Sequence, residues 1–319
     1  MDAVGQAGGI IEAAICYTGL KEKYSLEYYV EYARKLIGYG AHVLCIKDMT
    51  GLLKPYDAKL LIGTLKKEFP NIPINLHTHD NAGAGVATHL AAVEAGVNVI
   101  NVATDTMSGV TSQPSLGTIS HCLKGHARDP KYLINDEDYG LDHYWGGKNI
   151  ISLLPFPPLL SFSFPPTFLP PPFTPSFSPA RAPPLFLPPL PSKILNNFLL
   201  DIRELYAPFE GSQRSSFSST YEHEMPGGQY TNLQFQAKQL GLGNQWTKIK
   251  NTYKEANMLL GDIIKVTPSS KVVGDLAQFM VQNNLNYDKV IAQAKTLTLP
   301  RSVVEFFQGF LGQPCNIIN

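Results

Sequence analysis

Four apolar runs separated by helix-spaced stretches recur about every 25–30 residues along the first third of the chain. No other feature narrows the fold as much. The runs cover 10–17, 42–46, 72–76 and 97–102, and helical spacing fills 25–38, 58–69 and 86–95 between them. In 25–38, Leu26, Tyr29, Ala33, Leu36 and Ile37 share one helix face. The runs are almost continuously apolar, which predicts parallel strands covered on both faces. Polar residues gather where each run ends: Tyr17-Thr18, Lys47-Asp48, His77-Thr78-His79-Asp80 and Thr104-Asp105.

In an α/β barrel the carboxyl ends of the strands form the catalytic face. A closed barrel needs eight strands, and the pattern supplies four. The expectation is therefore the second half of a TIM (β/α)8 barrel over 1–123, followed by an α-helical C-terminal region. Met1 to Gly9 reads as the last turns of a helix closing on glycine ahead of the first strand, so a preceding segment is expected.

His77 and His79 stand one residue apart at a strand end, so their side chains point the same way. That suits two imidazoles sharing one metal ion. The plainer alternative is a pair of histidines hydrogen-bonded to loop backbone, and Lys47 alone reads as a solvated strand-end lysine. Lys+Arg and Asp+Glu balance at 26 each, so no basic field argues for nucleic acid. No uninterrupted apolar run is long enough to span a bilayer, and no targeting signal is evident. Cys16, Cys45, Cys122 and Cys315 are far apart without a CxxC pair, as expected of reduced intracellular thiols.

Beyond Lys124 the beat dissolves. Between Ser152 and Ser192, 36 of 41 residues are Ser, Leu, Pro or Phe. Read as protein, this is a proline-rich polyproline II linker, with Pro155-x-x-Pro158 as a candidate SH3-type ligand. Linkers so loaded with Phe and Leu would expose a large apolar surface, however. All four residue types can be encoded by pyrimidines alone, as in the tract near the 3′ end of an intron. We read 124–198 as an irregular, low-complexity insertion, with a retained intron or gene-model error from about 144.

From 199 to 314 the chain reads as helical, and 315–319 as a tail without signal. A helix is expected over 232–240, after the turn Met225-Pro226-Gly227-Gly228, and another over 247–260. Thr267 suits an N-cap with Pro268 at the first helical position, and Ser302 to Glu305 has capping-box spacing.

Several stretches together resemble the carboxyltransferase domain of the pyruvate carboxylase family. They are Gly9 to Gly19 (GIIEAAICYTG), Ile46-Lys47-Asp48-Met49, His77-Thr78-His79-Asp80 and Met107 to Ser115 (MSGVTSQPS). Pro226 to Leu233 (PGGQYTNL) and Lys265 to Asn283 (KVTPSSKVVGDLAQFMVQN) complete the set. The resemblance covers about 1–123 and 200–314 in the family's order, and 144–197 has no counterpart. It implies carboxyl transfer from carboxybiotin to pyruvate, giving oxaloacetate, an anaplerotic and gluconeogenic reaction. Lys47 would be carbamylated and would bind a divalent metal, zinc or manganese, with His77 and His79. Thr267 would relay a proton between pyruvate and biotin, while Gln229, Ser270 and Lys271 would line the substrate and biotin pocket.

The resemblance also implies what lies elsewhere. The family's aspartate ligand, the arginine that holds pyruvate, the biotin carboxylase domain and the biotin carrier domain have no counterpart in this sequence. The chain alone is expected to be inactive. The full protein would be a tetramer, in the mitochondrial matrix if from an animal. Alternatives are a biotin-dependent decarboxylase or transcarboxylase subunit, a related metal-dependent acyl-CoA lyase or Claisen-type synthase, and a non-catalytic proline-rich interaction protein.

Overall fold

The structure, a computed structural model, describes residues 1–130, 150–153, 192–211 and 213–312, with backbone alone at 150–153 and 192–195. The proline-rich run over 154–191 and the tail at 315–319 lie outside the described residues. A short helix α1 (Asp2–Gln6) precedes strand β1 (Glu12–Cys16). Then α2 (Leu26–Gly38), β2 (Val43–Asp48), α3 (Pro55–Glu68), β3 (Ile74–Thr78), α4 (Gly85–Glu94) and β4 (Val99–Val102) alternate, and α5 (Leu116–Cys122) follows. Among the described residues the sheet has five parallel strands in sequence order, the last being β5 (Ile150–Leu153) beside β4. Strands β1 to β4 are the four expected ones, and β5 falls within the run read from the sequence as an insertion. Ile150 and Ile151 are β-branched, and parallel pairing satisfies backbone groups along β4 that would otherwise face open space.

Crossovers of one hand between sequential parallel strands place the helices on one face of the sheet. There Ala13, Ile15, Leu44, Ile46, Ile74 and Leu76 meet the inner sides of α2 to α5 in a continuous apolar core. The expectation that every strand is covered on both faces fails at β1. Its burial alternates, with Ala13 and Ile15 buried but Glu12 and Ala14 exposed, because helices pack on one side only. Ser25 caps α2 by accepting from the Tyr28 N–H at 3.2 Å.

The helical region contains α6 (Ser192–Tyr206), α7 (Thr220–His223), α8 (Gly227–Gln239), α9 (Trp246–Leu259), α10 (Ser269–Gln282), α11 (Tyr287–Gln293) and α12 (Arg301–Phe307). Helix α6 starts directly after Pro191, the last proline before Pro208, where the chain regains its backbone donors. It docks on the loop after β4 through Asn196, whose carbonyl accepts from the Thr106 hydroxyl at 3.0 Å. Helices α8, α9 and α10 share a second core around Leu233, Ile249, Tyr253, Val273 and Met280.

Two expected caps are displaced. Helix α10 begins at Ser269, with Pro268 rather than Thr267 in the cap position, and among the described residues the Thr267 hydroxyl accepts from no helix N–H. Ser269 turns the entry instead: its hydroxyl accepts from the Val266 N–H at 3.2 Å and donates to the Ile264 carbonyl at 2.6 Å. Helix α12 begins at Arg301, after Pro300 in extended geometry. Ser302 therefore lies inside the helix and donates to the Asp275 carboxylate, while Glu305 pairs with Arg301.

A polar chain fastens the helical region to the loop after β1. Buried Lys265 donates to Glu224 at 2.9 Å and Thr18 at 3.3 Å, and Lys21 bridges Glu224 and Asp262. Burial works against the Glu224 charge, but Lys265 and Lys21 outweigh it and hold its carboxyl below the usual range.

His223 ends α7, and its Nδ1 accepts from the Met225 N–H at 3.0 Å. Burial first, then nearby Lys250, pushes its pKa down to about 4. The unfolded value is about 6.5, so the unfolded chain takes up protons first and the fold weakens as pH falls from about 6.5 toward 4. Between about pH 7 and about pH 5, the His223→Asn variant should lose roughly 2 kcal/mol less stability than the parent chain. Urea midpoints at the two pH values measure this, and equal losses would contradict it.

Candidate active site at the strand ends

The register of the sheet assembles the site. Cys16 pairs with Lys47 across β1 and β2, and Lys47 pairs with His77 across β2 and β3. Aligned residues of parallel strands point to the same face, so Cys16, Lys47 and His77 form one row on the side away from the helices. Among the described residues, no hydrogen bond or ion pair holds the Lys47 ammonium.

The two histidines converge. His77 Nδ1 lies 3.2 Å from Asn101 Oδ1, and His79 Nδ1 lies 2.7 Å from the Thr111 carbonyl oxygen. Their Nε2 atoms face each other at 3.3 Å. Burial, with His79 next, pushes His77 down to about 3, and burial also lowers His79, so both rings are neutral near pH 7. Two bare ring nitrogens pointing at each other repel unless a cation or a shared proton lies between them. Tetrahedral zinc, with bonds of about 2.0–2.1 Å, sets two ligand nitrogens about 3.3–3.4 Å apart, and the observed separation fits. Among the described residues, no group of three or more His, Cys, Asp or Glu side chains converges on such a point. Any further protein ligand must be another residue type or come from outside them.

Asp48 builds the loop beneath. Its Oδ1 accepts from the Gly51 and Leu52 N–H groups, each at 3.0 Å. Its Oδ2 accepts from the Leu53 N–H at 2.8 Å and the Thr78 hydroxyl at 2.7 Å. Burial pushes this carboxyl upward while those donors pull it back. Gly51 has φ +75°, and a Cβ there would sit 2.4 Å from the His79 carbonyl oxygen, so only glycine fits this close approach.

The helical region reaches the same place through the amino end of α8. The Gly227 N–H donates to the Met49 carbonyl at 3.0 Å. A Cβ at Gly227 would lie 3.1 Å from His79 Nδ1 and 3.0 Å from the Thr111 oxygen. Two residues on, the Gln229 amide lies over Gly274 of α10, where a Cβ would come within 2.5 Å of it. Lys47, His77 and His79 are thus brought together, and Gln229 is brought to the helix carrying Ser270 and Lys271. Ser270 is buried, and Lys271 is exposed and paired with Asp275. Thr267 is exposed at the turn before α10, and no hydrogen bond among the described residues joins it to the histidines.

Sequence reasoning passed over Asn101, Thr111, Gly227 and the Lys265–Glu224 pair. Asn101 carried a usable signal, being the polar residue within the apolar strand Val99-Ile100-Asn101-Val102. Thr111 acts through its backbone, which no side-chain pattern reveals.

Residues 220–319 match the family described as a conserved carboxylase domain, and residues 17–132 match the HMGL-like family. Pyruvate carboxylase 1 of Caenorhabditis elegans is 45% identical over 322 residues, spanning 98% of this chain and 23% of the worm protein. The mitochondrial pyruvate carboxylase of Mus musculus is 44% identical over 321 residues, with the same shares. The carboxyl transferase domain from Rhizobium etli pyruvate carboxylase superposes with a TM-score of 0.77 at 39% identity, covering 98% of this chain and 44% of that one. The same domain with 3-hydroxypyruvate gives 0.78 at 39% identity, covering 100% and 45%. The chain thus spans less than a quarter of the length of these two full-length relatives.

Removing the Asp48 carboxylate leaves backbone donors and the Thr78 hydroxyl unmet in a dry site. Asp48→Ala should destabilise the chain by roughly 3–5 kcal/mol. Urea unfolding measures this, and a loss below about 1 kcal/mol would show that the loop stands without the carboxylate.

Proposed function

This chain matches the carboxyltransferase domain of pyruvate carboxylase along 98% of its length, and from that premise we propose that it is a piece of a biotin-dependent enzyme that carboxylates pyruvate. The observation that carries the reading is the histidine pair, with both Nδ1 atoms on acceptors and both Nε2 atoms 3.3 Å apart beside Lys47. The parallel strands would be the later part of a (β/α)8 barrel whose earlier strands, aspartate ligand and pyruvate-binding arginine lie outside this chain.

His77 and His79 would hold a zinc or manganese ion through their Nε2 atoms. Lys47, free of any ion pair among the described residues, would join them as a carbamate, which replaces an ammonium by an anionic oxygen ligand. The metal would serve as a Lewis acid toward the pyruvate carbonyl oxygen, favouring loss of a methyl proton. The Thr267 hydroxyl can accept and donate one proton in turn, so it suits a relay between the pyruvate methyl and the biotin nitrogen. A relay working in both directions needs reach to its two partners rather than a shifted pKa. Its exposed place at the turn before α10 leaves it open to a ligand. Gln229 at the amino end of α8, with Ser270 and Lys271 on α10, would line the pocket for pyruvate and carboxybiotin.

Biotin would arrive on a carrier domain not contained in this sequence. The full protein would assemble as a tetramer, and the mitochondrial names of mammalian relatives support a matrix location in an animal source. The run over 144–197 would be absent from a properly spliced product.

The isolated chain, given pyruvate and carboxybiotin, should form no oxaloacetate. Joined to the earlier barrel strands of a relative, it should regain carboxyl transfer, and Thr267→Ala should then cut turnover by about 10²–10⁴-fold. Oxaloacetate from the isolated chain would overturn the requirement for the missing strands. A Thr267→Ala variant with unchanged turnover would remove the relay.

A further inference from the structure

We infer that Asn101 is a positioning residue that, together with the Thr111 carbonyl, locks both histidines in the tautomer that bares their Nε2 atoms. This deepens the metal-site reading above and rests on it only for the ligand.

A carbonyl oxygen has no proton to give, so a ring nitrogen hydrogen-bonded to it must carry the proton. His77 Nδ1 faces the Asn101 amide oxygen at 3.2 Å, and His79 Nδ1 faces the Thr111 carbonyl at 2.7 Å. Each neutral ring is thereby held with hydrogen on Nδ1 and a lone pair on Nε2, and the two lone pairs converge. An unconstrained histidine favours the opposite tautomer. With hydrogen on Nε2, His77 would donate to His79 across the same 3.3 Å gap and close the pair against a cation. The orientation of one side-chain amide therefore decides between a cation-binding pair and a self-satisfied one.

Asn101 is built for that task. It is 4% exposed and lies at the end of β4, beside β3. Its backbone carbonyl lies 3.0 Å from Nε2 of His89, whose Nδ1 lies 2.8 Å from the Gly85 carbonyl, so the neutral ring is wedged between the two carbonyls and donates to one of them. His89 is fully buried, so β4 and α4 fix the backbone from which the amide reaches His77. For His79 the constraint is doubled, because Gly227 packs against Nδ1 and the Thr111 oxygen together. Nothing comparable backs His77, which depends on Asn101 alone among the described residues.

The test uses the full chain labelled with ¹⁵N-histidine, metal-free and at neutral pH, read by long-range ¹H–¹⁵N correlation. Both His77 and His79 should carry hydrogen on Nδ1. Asn101→Leu should move the His77 proton to Nε2, leave His79 unchanged and weaken Co²⁺ binding by about 10–100-fold. Asn101→Asp keeps an oxygen acceptor and should preserve the His77 tautomer, a rescue that a purely packing role would not produce. His77 protonated on Nε2 in the parent chain would overturn the inference, whether or not any variant folds. So would an unchanged His77 tautomer in Asn101→Leu. If the tautomers respond as expected but the parent chain binds no Co²⁺, the positioning role stands and the metal reading falls.

Discussion

The in-register parallel pairing of β2 with β3 underlies everything at the strand ends. It sets Lys47 beside His77, and one residue on it sets Asp48 beside Thr78. The first pair faces away from the helices. The second faces into them, where the Asp48 carboxylate takes the Thr78 hydroxyl and four backbone donors of its own loop. A slip of one residue would exchange the two faces, burying an unpaired ammonium and stranding a carboxylate. The register is thus protected by the cost of its alternative, and the buried carboxylate supports the histidine pair without belonging to it.

A second constraint ties the helical region to this sheet. Glu224 and Asp262 both occupy left-handed torsions, at φ +53° and +49°, which side chains with a Cβ adopt at some cost. Both are also the anions met by Lys21, and Glu224 is met by Lys265 as well. Ion pairing thus offsets unfavourable backbone at the two turns where the chain returns to the loop after β1. Removing one partner would leave an uncompensated charge in a largely dry place. Gly227 follows Glu224 by three residues and Thr267 follows Lys265 by two, so this joint sits next to both segments proposed to serve the reaction.

Much of this was legible from residues, and the omissions have physical reasons. The alternation of apolar runs with helical spacing identified β1 to β4 and α2 to α4, because hydrophobic period follows directly from burial. The two-sided cover expected of β1 failed because Ala14 is apolar enough to continue a run although it is exposed. Thr267 and Ser302 suit caps by residue type, but Pro268 and Pro300 hold the cap positions of the two helices. Helix α11 went unread even though Asn286 caps it by accepting from the Lys289 N–H at 3.0 Å. At the site, His77, His79 and Lys47 were readable from their strand-end places. Asn101 and the Thr111 carbonyl matter only through which ring nitrogen they face, a question for three dimensions.

The contact of Gly227 with His79 joins two events that look separate. The first residue of α8 fits so closely against the His79 ring and the Thr111 carbonyl that an added methyl group would press on both. Whatever steadies that ring favours the docked arrangement of the helical region, and docking in turn spares any ligand of His79 the entropy of ordering it. Such coupling is reciprocal by thermodynamic necessity: the factor by which docking tightens a ligand equals the factor by which the ligand tightens docking. The joint between sheet and helices is therefore a thermodynamic partner of the histidine pair, and a ligand held there would register as added cohesion across the chain.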